Sequence, residues 1–246
     1  MVEYSTVTNN KHSPESFRNY TLTRLPQPLV SELTPHLFRT DLPQSTILLK
    51  PLQPIAWIYF VEHGMASISG STEDGEAVEV GVIGREGLVG VSALLGQPQA
   101  QNTVVMQGPG VGYKIRASIL REAFVKHAAL QQLVHDFLYV QMNQSTQLIV
   151  CNRVHEVEAR LARWLLMAAG LMETSNINLT QEFLSQMLGT RRSTVTVAAG
   201  ALQRSGMINY SRGRVEIANR ELLESAACEC FSVIRDMYLR IYPGLY

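Results

Sequence analysis

Between Leu29 and Ile115 the apolar residues come in short runs bounded by glycine and proline: "STILLKP", "AWIYFVEHG", "MASISG", "EAVEVGVIG", "NTVVMQGPG" and "VGYKI". Runs of this length with turn residues at this spacing predict an antiparallel roll or small barrel. The period then changes. "RASILREAFVKH" predicts a short helix, and "AALQQLVHDFLYVQMNQSTQLIVCNRV" an extended one in which Leu130, Val134, Phe137, Gln141, Gln144, Leu148 and Cys151 recur at alternating steps of four and three. Such a seam predicts pairing of two copies of the helix, with Gln141 and Gln144 weakening the centre but setting register. Leu138, Met142 and Ile149 supply a second apolar stripe, so packing on the helix's own domain is the alternative, and two stripes would serve both.

Further on, "HEVEARLARWLLMAAGLM" predicts an amphipathic helix with Val157, Leu161, Trp164, Leu165 and Ala168 inward. Thr180 is a good N-cap for a short helix ending near Leu188, Gly189 supplies a permissive turn, and Thr190 can cap a second helix. Helix, glycine turn, helix is the helix-turn-helix pattern. "MINYSRGRVEI" alternates around a Ser-Arg-Gly-Arg turn and predicts a hairpin, or wing, with arginines at its tip. "RELLESAACECFSVIRDMYLRI" predicts one final helix to which only packing is assigned.

The second helix of the pair has an unusual surface. With Val195, Ala198 and Leu202 facing the core, Ser193, Val197, Gly200 and Arg204 point away from it, a face with little of the charge a solvated helix carries. Small and apolar side chains suit a helix that enters the DNA major groove, where they permit close approach and touch thymine methyls. Arg192 in the first turn is placed for a forked contact to a guanine edge. Thr190, Arg191, Thr194 and Thr196 are placed for phosphates, as are Arg212 and Arg214 on the wing.

Charge sharpens this picture. The chain of 246 residues has zero formal net charge, which alone argues against nucleic acid. Yet between Asn176 and Arg220 there are six arginines (Arg191, Arg192, Arg204, Arg212, Arg214, Arg220) against Glu182 and Glu216. The excess sits on the predicted reading elements. No apolar run of eighteen residues occurs and the N-terminus lacks the apolar core of a secretory signal, so a cytoplasmic protein with no membrane partner is expected. Residues 1–27 are polar and unpatterned and predict a flexible arm. The cysteines Cys151, Cys228 and Cys230 are too few for a disulfide framework or a four-cysteine metal site. Cys228 and Cys230, at alternate positions of one helix, should diverge rather than share a metal; they are read as buried thiols or, second, as sensors of oxidation. No metal site is expected.

The order of roll, long helix, helix-turn-helix and wing, with "LTQEFLSQMLGTRRSTVTVAAGALQRSGMI", resembles the Crp/Fnr superfamily of bacterial transcription regulators over roughly Leu29 to Ile217. The resemblance implies an α+β fold: an arm at 1–27, a cyclic-nucleotide-binding-like antiparallel β-roll at 28–127, a dimerisation helix at 128–153, a winged helix-turn-helix at 154–222 and a C-terminal helix at 223–246. It implies a homodimer that binds inverted repeats in double-stranded DNA, with RNA polymerase as a further partner. In the catabolite activator of this family the recognition helix begins Arg-Glu-Thr-Val-Gly-Arg. The matching run here keeps Arg192 but has Ser193 and Val197 where the glutamate and second arginine stand, so a different target sequence follows.

Members that bind cyclic AMP hold ribose and phosphate with a Gly-Glu pair and, about ten residues on, an Arg-Ser pair. Here those positions fall on Gly90, Val91, Gln101 and Asn102, so the carboxylate and the cation are both gone. Ser145 and Thr146 fall where the activator's long helix offers a Thr-Ser pair to the base. The iron-sulfur members carry cysteines ahead of the roll, where this chain has none, and a haem member would need an axial ligand such as His36 or His63. No cofactor is expected, and no nucleophile with a base, phosphate loop or metal motif suggests an enzyme. The reading is a sequence-specific DNA-binding transcription regulator that does not respond to cyclic AMP. The alternative, a ligand-binding regulatory module without DNA function, leaves the basic window and the wing without purpose.

Overall fold

The computed structural model describes residues 17–245. Of the arm expected over residues 1–27, residues 1–16 lie outside the described residues, and the remainder corrects the expectation. Phe17 and Asn19 are buried, and the Asn19 side chain caps α1 (Tyr20–Arg24) by accepting from the N–H groups of Thr21 and Leu22. Its amide donates to the carbonyls of Val61 and Gly87, and the Glu62 carboxylate accepts from the backbone of Arg18 and Asn19 at 2.8 and 3.0 Å. Polar residues that read as a solvated tail are here the hydrogen-bonding partners of buried backbone. Next, α2 (Gln27–Leu33) buries Leu29, Val30 and Leu33.

Six antiparallel strands make the roll: β1 (Phe38–Leu42), β2 (Ile47–Leu49), β3 (Trp57–Ser71), β4 (Ala77–Ile83), β5 (Leu88–Val89) and β6 (Thr103–Arg116). The order is β1-β6-β3-β4, with β2 also on β6 and β5 on β3. Two pairs of the predicted short runs are single long strands. "AWIYFVEHG" and "MASISG" join in β3, whose pairing with β6 shifts register repeatedly between Val61 and Ala66, so glycine marks bulges that bend a strand rather than its end.

After α3 (Ala117–Lys126), the 27-residue helix α4 (Ala128–Val154) runs beneath the roll. It corrects the predicted dimer seam. Leu130, Val134, Phe137, Gln144 and Leu148 are buried within the protomer, and Gln141 is half-buried. Phe137 lies so close to Gly87 that a Cβ there would fall 2.1 Å from its ring. The glutamines are explained by β4, which ends the sheet. Gln144 Oε1 accepts from Val82 N at 2.8 Å, Gln141 Nε2 donates to Val82 O at 2.8 Å and Ser145 Oγ donates to Val80 O at 2.7 Å. They satisfy the free backbone groups of an edge strand, which would otherwise be buried unpaired.

The C-terminal part comprises α5 (Val157–Met172), β7 (Asn176–Asn178), α6 (Gln181–Met187), α7 (Arg192–Arg204), β8 (Ile208–Ser211), β9 (Arg214–Ile217), α8 (Arg220–Ala226) and α9 (Cys230–Ile241). One hydrophobic cluster runs from Met65 and Val82 of the roll through α5 to Val195, Leu202, Leu223 and Tyr238. At the joint, Glu79 on β4 is buried. Ser67 Oγ donates to its Oε2 at 2.7 Å and Trp164 Nε1 to its Oε1 at 2.9 Å, yet burial raises its pKa to about 7 against the smaller pull of Ser67, Arg163 and Trp164.

The single final helix is also corrected. The chain breaks at residues 227–229, leaving α8 against α5 and α9 against α4 and α5. Cys228 therefore precedes α9 while Cys230 opens it, and the expected divergence of the two thiols does not occur.

Candidate functional site

The helix-turn-helix is built as its residues dictate. Thr180 caps α6, its Oγ1 accepting from Phe183 N at 3.1 Å. Gly189 adopts φ +54 in the turn, and a Cβ there would lie 2.9 Å from a Val78 methyl of the roll, so both conformation and space call for glycine. Thr190 does not cap α7; Arg191 is the N-cap residue, without a side-chain cap bond, and Thr190 is half-buried. No Arg191 side-chain cap covers the start of α7, where Thr194 N and Val195 N already donate to Arg191 O at 2.9 and 3.2 Å, so any anion there meets the N–H groups of the first residues.

Val195, Ala198, Ala199 and Leu202 turn into the core, while Arg191, Arg192, Ser193, Thr196, Val197 and Arg204 are exposed, Val197 to 69%. Thr194 is half-buried, and Thr196 Oγ1 is already donated to its own helix at Arg192 O, 3.0 Å away, so these two are less free than their spacing suggested. Arg204 reaches back over Gly200, within 3.2 Å of where a Cβ would stand.

The wing turns at Arg212 and Gly213, with φ +50 and +77, the pair of positive values a two-residue type I′ hairpin requires, and Ser211 pairs with Arg214. Both wing arginines are exposed, and Arg214 donates to Asn176 Oδ1 at 3.2 Å. Wing and helix share one surface through α6. Leu179 N donates to Gly213 O at 2.7 Å, and Arg192 Nε reaches Gln181 Oε1 at 3.5 Å. Burial raises the pKa of Tyr210, opposed by the field of the nearby Arg192. Gln203 ties the far end, accepting from Tyr210 N at 2.9 Å. Gln181, Gln203 and Tyr210 thus belong to this surface although sequence reasoning missed them; only position one turn from a predicted contact could have marked them.

A cavity of about 440 Å³ lies between the roll and α4. Gly90, Val91, Gln101, Asn102 and Ser145 all line it, so five of the six positions aligned with a nucleotide pocket meet in one place. Thr146 does not; it is exposed, and its Oγ1 donates back to Met142 O at 2.9 Å. The rest of the wall is largely aliphatic or aromatic, including Ile68, Val104, Phe137 and Leu138, and no lining residue has an ionisable side chain. The nearby Arg85 and Glu86 are engaged elsewhere. Arg85 donates to Gly244 O and approaches Glu173 at 3.5 Å, while Glu86 is buried, accepts from Gly84 N and has its pKa raised by burial to about 7. His36 and His63 are surface residues.

Outward, α4 presents Gln132, His135, Tyr139, Met142, Thr146 and Ile149, at alternating steps of three and four, all exposed. Met142 and Ile149 expose 63% and 70% of their surface. Met142 also lines the cavity, so the outer stripe and the cavity meet at one side chain.

Comparison with known proteins fits this division. A cyclic nucleotide-binding domain matches residues 39–127 and a Crp-like helix-turn-helix domain residues 159–226. Among solved structures, FixK2 from Bradyrhizobium japonicum is similar over 78% of this chain and 98% of its own, at 14% identity and a TM-score of 0.65. TTHB099, a CRP-family transcriptional regulator from Thermus thermophilus, is similar over 76% of this chain and 96% of its own, at 17% identity and a TM-score of 0.65. The c-di-GMP-responsive global regulator CLP from Xanthomonas campestris is similar over 79% of this chain and 100% of its own, at 17% identity and a TM-score of 0.64. No curated protein sequence matches significantly. No helix among the described residues is long and apolar enough to cross a membrane.

Proposed function

Since the chain is a member of the Crp/Fnr superfamily of DNA-binding transcription regulators, with the two domains that define it, we propose that it works as a cytoplasmic homodimer reading inverted-repeat sites. Its sensor answers to an uncharged, mainly apolar ligand rather than to cyclic AMP. The observation that carries this reading is the outward stripe of α4. Two exposed apolar side chains, Met142 and Ile149, stand seven residues apart in a seam of six positions at heptad spacing. That pattern is satisfied by a second copy of the same helix across a two-fold axis. The half-sites of the DNA are then about one helical turn apart, each read by an α7 and gripped by a wing. RNA polymerase is the partner such a dimer meets beside a promoter.

The cavity joins this scheme at Met142. A ligand that fills the apolar space touches a side chain of the seam, so occupancy acts on how two α4 helices meet. An apolar wall with a few neutral polar groups such as Gln101, Asn102 and Ser145 suits an uncharged ligand that is oriented by hydrogen bonds and held by burial.

The test is the double variant Met142→Glu, Ile149→Glu. Four carboxylates in one seam repel, and the variant should sediment as a folded monomer and lose protection of inverted-repeat DNA while retaining weak, non-specific binding. If it stays dimeric, subunits pair elsewhere and the stripe has another purpose.

A further inference from the structure

Four side chains of metal-ligating type, from separate parts of the chain, meet where α4 gives way to α5. Cys151 lies in the last turn of α4, His155 is the residue on which α4 ends, and Cys228 and Cys230 flank Glu229 at the start of α9. Their ligand atoms all lie within 4.8 Å of one another. Cys151 Sγ is 3.5 Å from Cys228 Sγ, and Cys230 Sγ is 3.6 Å from His155 Nδ1. We propose that Cys151, His155, Cys228 and Cys230 form a closed, mononuclear site for a zinc-class divalent ion, which clamps the α4–α5 joint to α9.

The spacing selects the class of ion. A tetrahedral ion with metal–sulfur bonds of about 2.3 Å and metal–nitrogen bonds of about 2.0 Å sets its ligand atoms about 3.5 to 3.8 Å apart. The sulfur–sulfur and sulfur–nitrogen contacts are at that separation before any adjustment. An iron–sulfur cluster spreads its four protein ligands over two or four irons, and ligands on different irons stand further apart than those on one ion. Three thiolates and an imidazole are also the donor set of a structural zinc site, whose four protein ligands leave no open position.

The surroundings point the same way. With Nδ1 turned to the thiols, His155 Nε2 lies 3.1 Å from the Glu229 carboxylate. A metal-bound histidine almost always donates its other N–H to such an acceptor, which fixes the tautomer and the ring. Gln147 Nε2 donates to Cys230 Sγ at 3.1 Å, a contact suited to a thiolate. Two buried arginines, Arg160 and Arg163, stand nearby, and their fields reach Cys151. Neither is within ion-pair distance of a carboxylate among the described residues, and the Nε atom of each has no hydrogen-bond partner. Three thiolates and a neutral imidazole around a divalent ion carry one net negative charge, which offsets a buried cation that is otherwise costly. Binding releases the thiol protons to solvent, so affinity rises with pH. A Cys151–Cys228 disulfide would use two of the four groups and leave Cys230 and the His155–Glu229 pair without a role.

The position gives the site its meaning. Only His155 and Glu156 separate α4 from α5, so whatever fixes this joint fixes the angle at which the DNA-reading part leaves the long helix.

The experiment uses the full chain, reduced, stripped with a chelator and titrated with Co²⁺ alone, then Zn²⁺. One ion per protomer is expected, with the near-ultraviolet thiolate band and the intense visible bands of tetrahedral Co²⁺, both erased by Zn²⁺. Cys228→Ser should abolish the thiolate spectrum or weaken it severely. Glu229→Gln alters no ligand and lies at the surface, so it should fold, keep the stoichiometry and lower Zn²⁺ affinity about 10- to 100-fold. The proposal is overturned by any of four results: no stoichiometric ion in the wild type, several irons per protomer, a metal-free Cys151–Cys228 disulfide as the stable form, or undiminished Zn²⁺ affinity in Glu229→Gln. Should Cys228→Ser fail to fold, the Glu229→Gln affinity alone decides.

Discussion

On α7 and the wing, the arginines singled out by sequence are exposed and lightly held, ready for a partner that supplies negative charge. The cavity under α4 gathers five positions where a cyclic nucleotide would be gripped and has no ionisable side chain at any of them. One region presents exposed cations, while the other lines a cavity with neutral side chains alone. Fold and ligand therefore separate readily. A roll needs its glycines, bulges and apolar interior to stand, whereas ligand charge rests on two particular side chains, and this roll stands with Val91 and Gln101 at those positions.

The largest expected effect follows from that loss. Each missing charge-assisted contact is worth about 1.5 to 3 kcal/mol, so replacement of the carboxylate by Val91 and the cation by Gln101 should weaken cyclic AMP binding by about two to four powers of ten. Titration calorimetry with millimolar cyclic AMP should show little heat. Low-micromolar binding would erase the contrast between the two regions and mean that a cation reaches the cavity from elsewhere.

Between the regions stands Glu79, hydrogen-bonded to both the roll and α5. Its folded-state pKa of about 7 exceeds the ordinary 4.5. The sign follows: its contribution to stability is whole below about pH 4.5 and is lost as pH rises through 7, when the unfolded chain ionises more readily than the folded one. At 1.36 kcal/mol per unit the loss is about 3 kcal/mol. Buried Glu86 acts in the same direction, so the check is a difference: urea midpoints at pH 5 and pH 8 should separate less in Glu79→Gln than in the wild type. Equal separations would mean that Glu79 does not govern the joint.

The sequence allowed the order of elements to be read because turn chemistry and period are local. Gly189 between two helical runs, or Arg212-Gly213 between two alternating ones, carries its own geometry. Which stripe of α4 faces inward was not legible, since both faces repeat at threes and fours. The buried one even includes Gln141 and Gln144, whose reason for burial is an edge strand some sixty residues away. The arm failed in the same manner, because Asn19 reads as polar and loop-like until the carbonyls of Val61 and Gly87 are beside it. The thiol cluster was hidden by distance along the chain, with Cys151 and Cys228 separated by 77 residues, and by the assumption of one continuous final helix. In the reading face, the spacing of α7 sorted inward from outward residues but not which hydroxyls were already spent, as Thr196 is on Arg192 O.

The finest test lies within the reading face, because an arginine that reads a base and one that holds a phosphate fail differently. Arg192 stands at the first turn of α7, exposed, with a long contact to Gln181 at 3.5 Å and Tyr210 nearby. Its fork can reach the O6 and N7 atoms of a guanine, so Arg192→Ala should cost about 1 to 3 kcal/mol on the preferred duplex and much less on a scrambled one. Arg212 sits in the two-residue turn at the wing's tip and Arg214 directly follows it, both exposed, so the neighbour expected for each is DNA backbone. Replacing either by alanine should weaken both duplexes alike and lower the slope of log affinity against log salt by about one unit. Titrations of each variant against a selected inverted repeat and its scramble, at several salt concentrations, separate the two behaviours. Equal losses on both duplexes for Arg192→Ala would make it another phosphate contact. The burden of reading would then pass to Val197, Gln181 and Gln203, and the exposed apolar surface of α7 would have to discriminate by thymine methyls and groove shape.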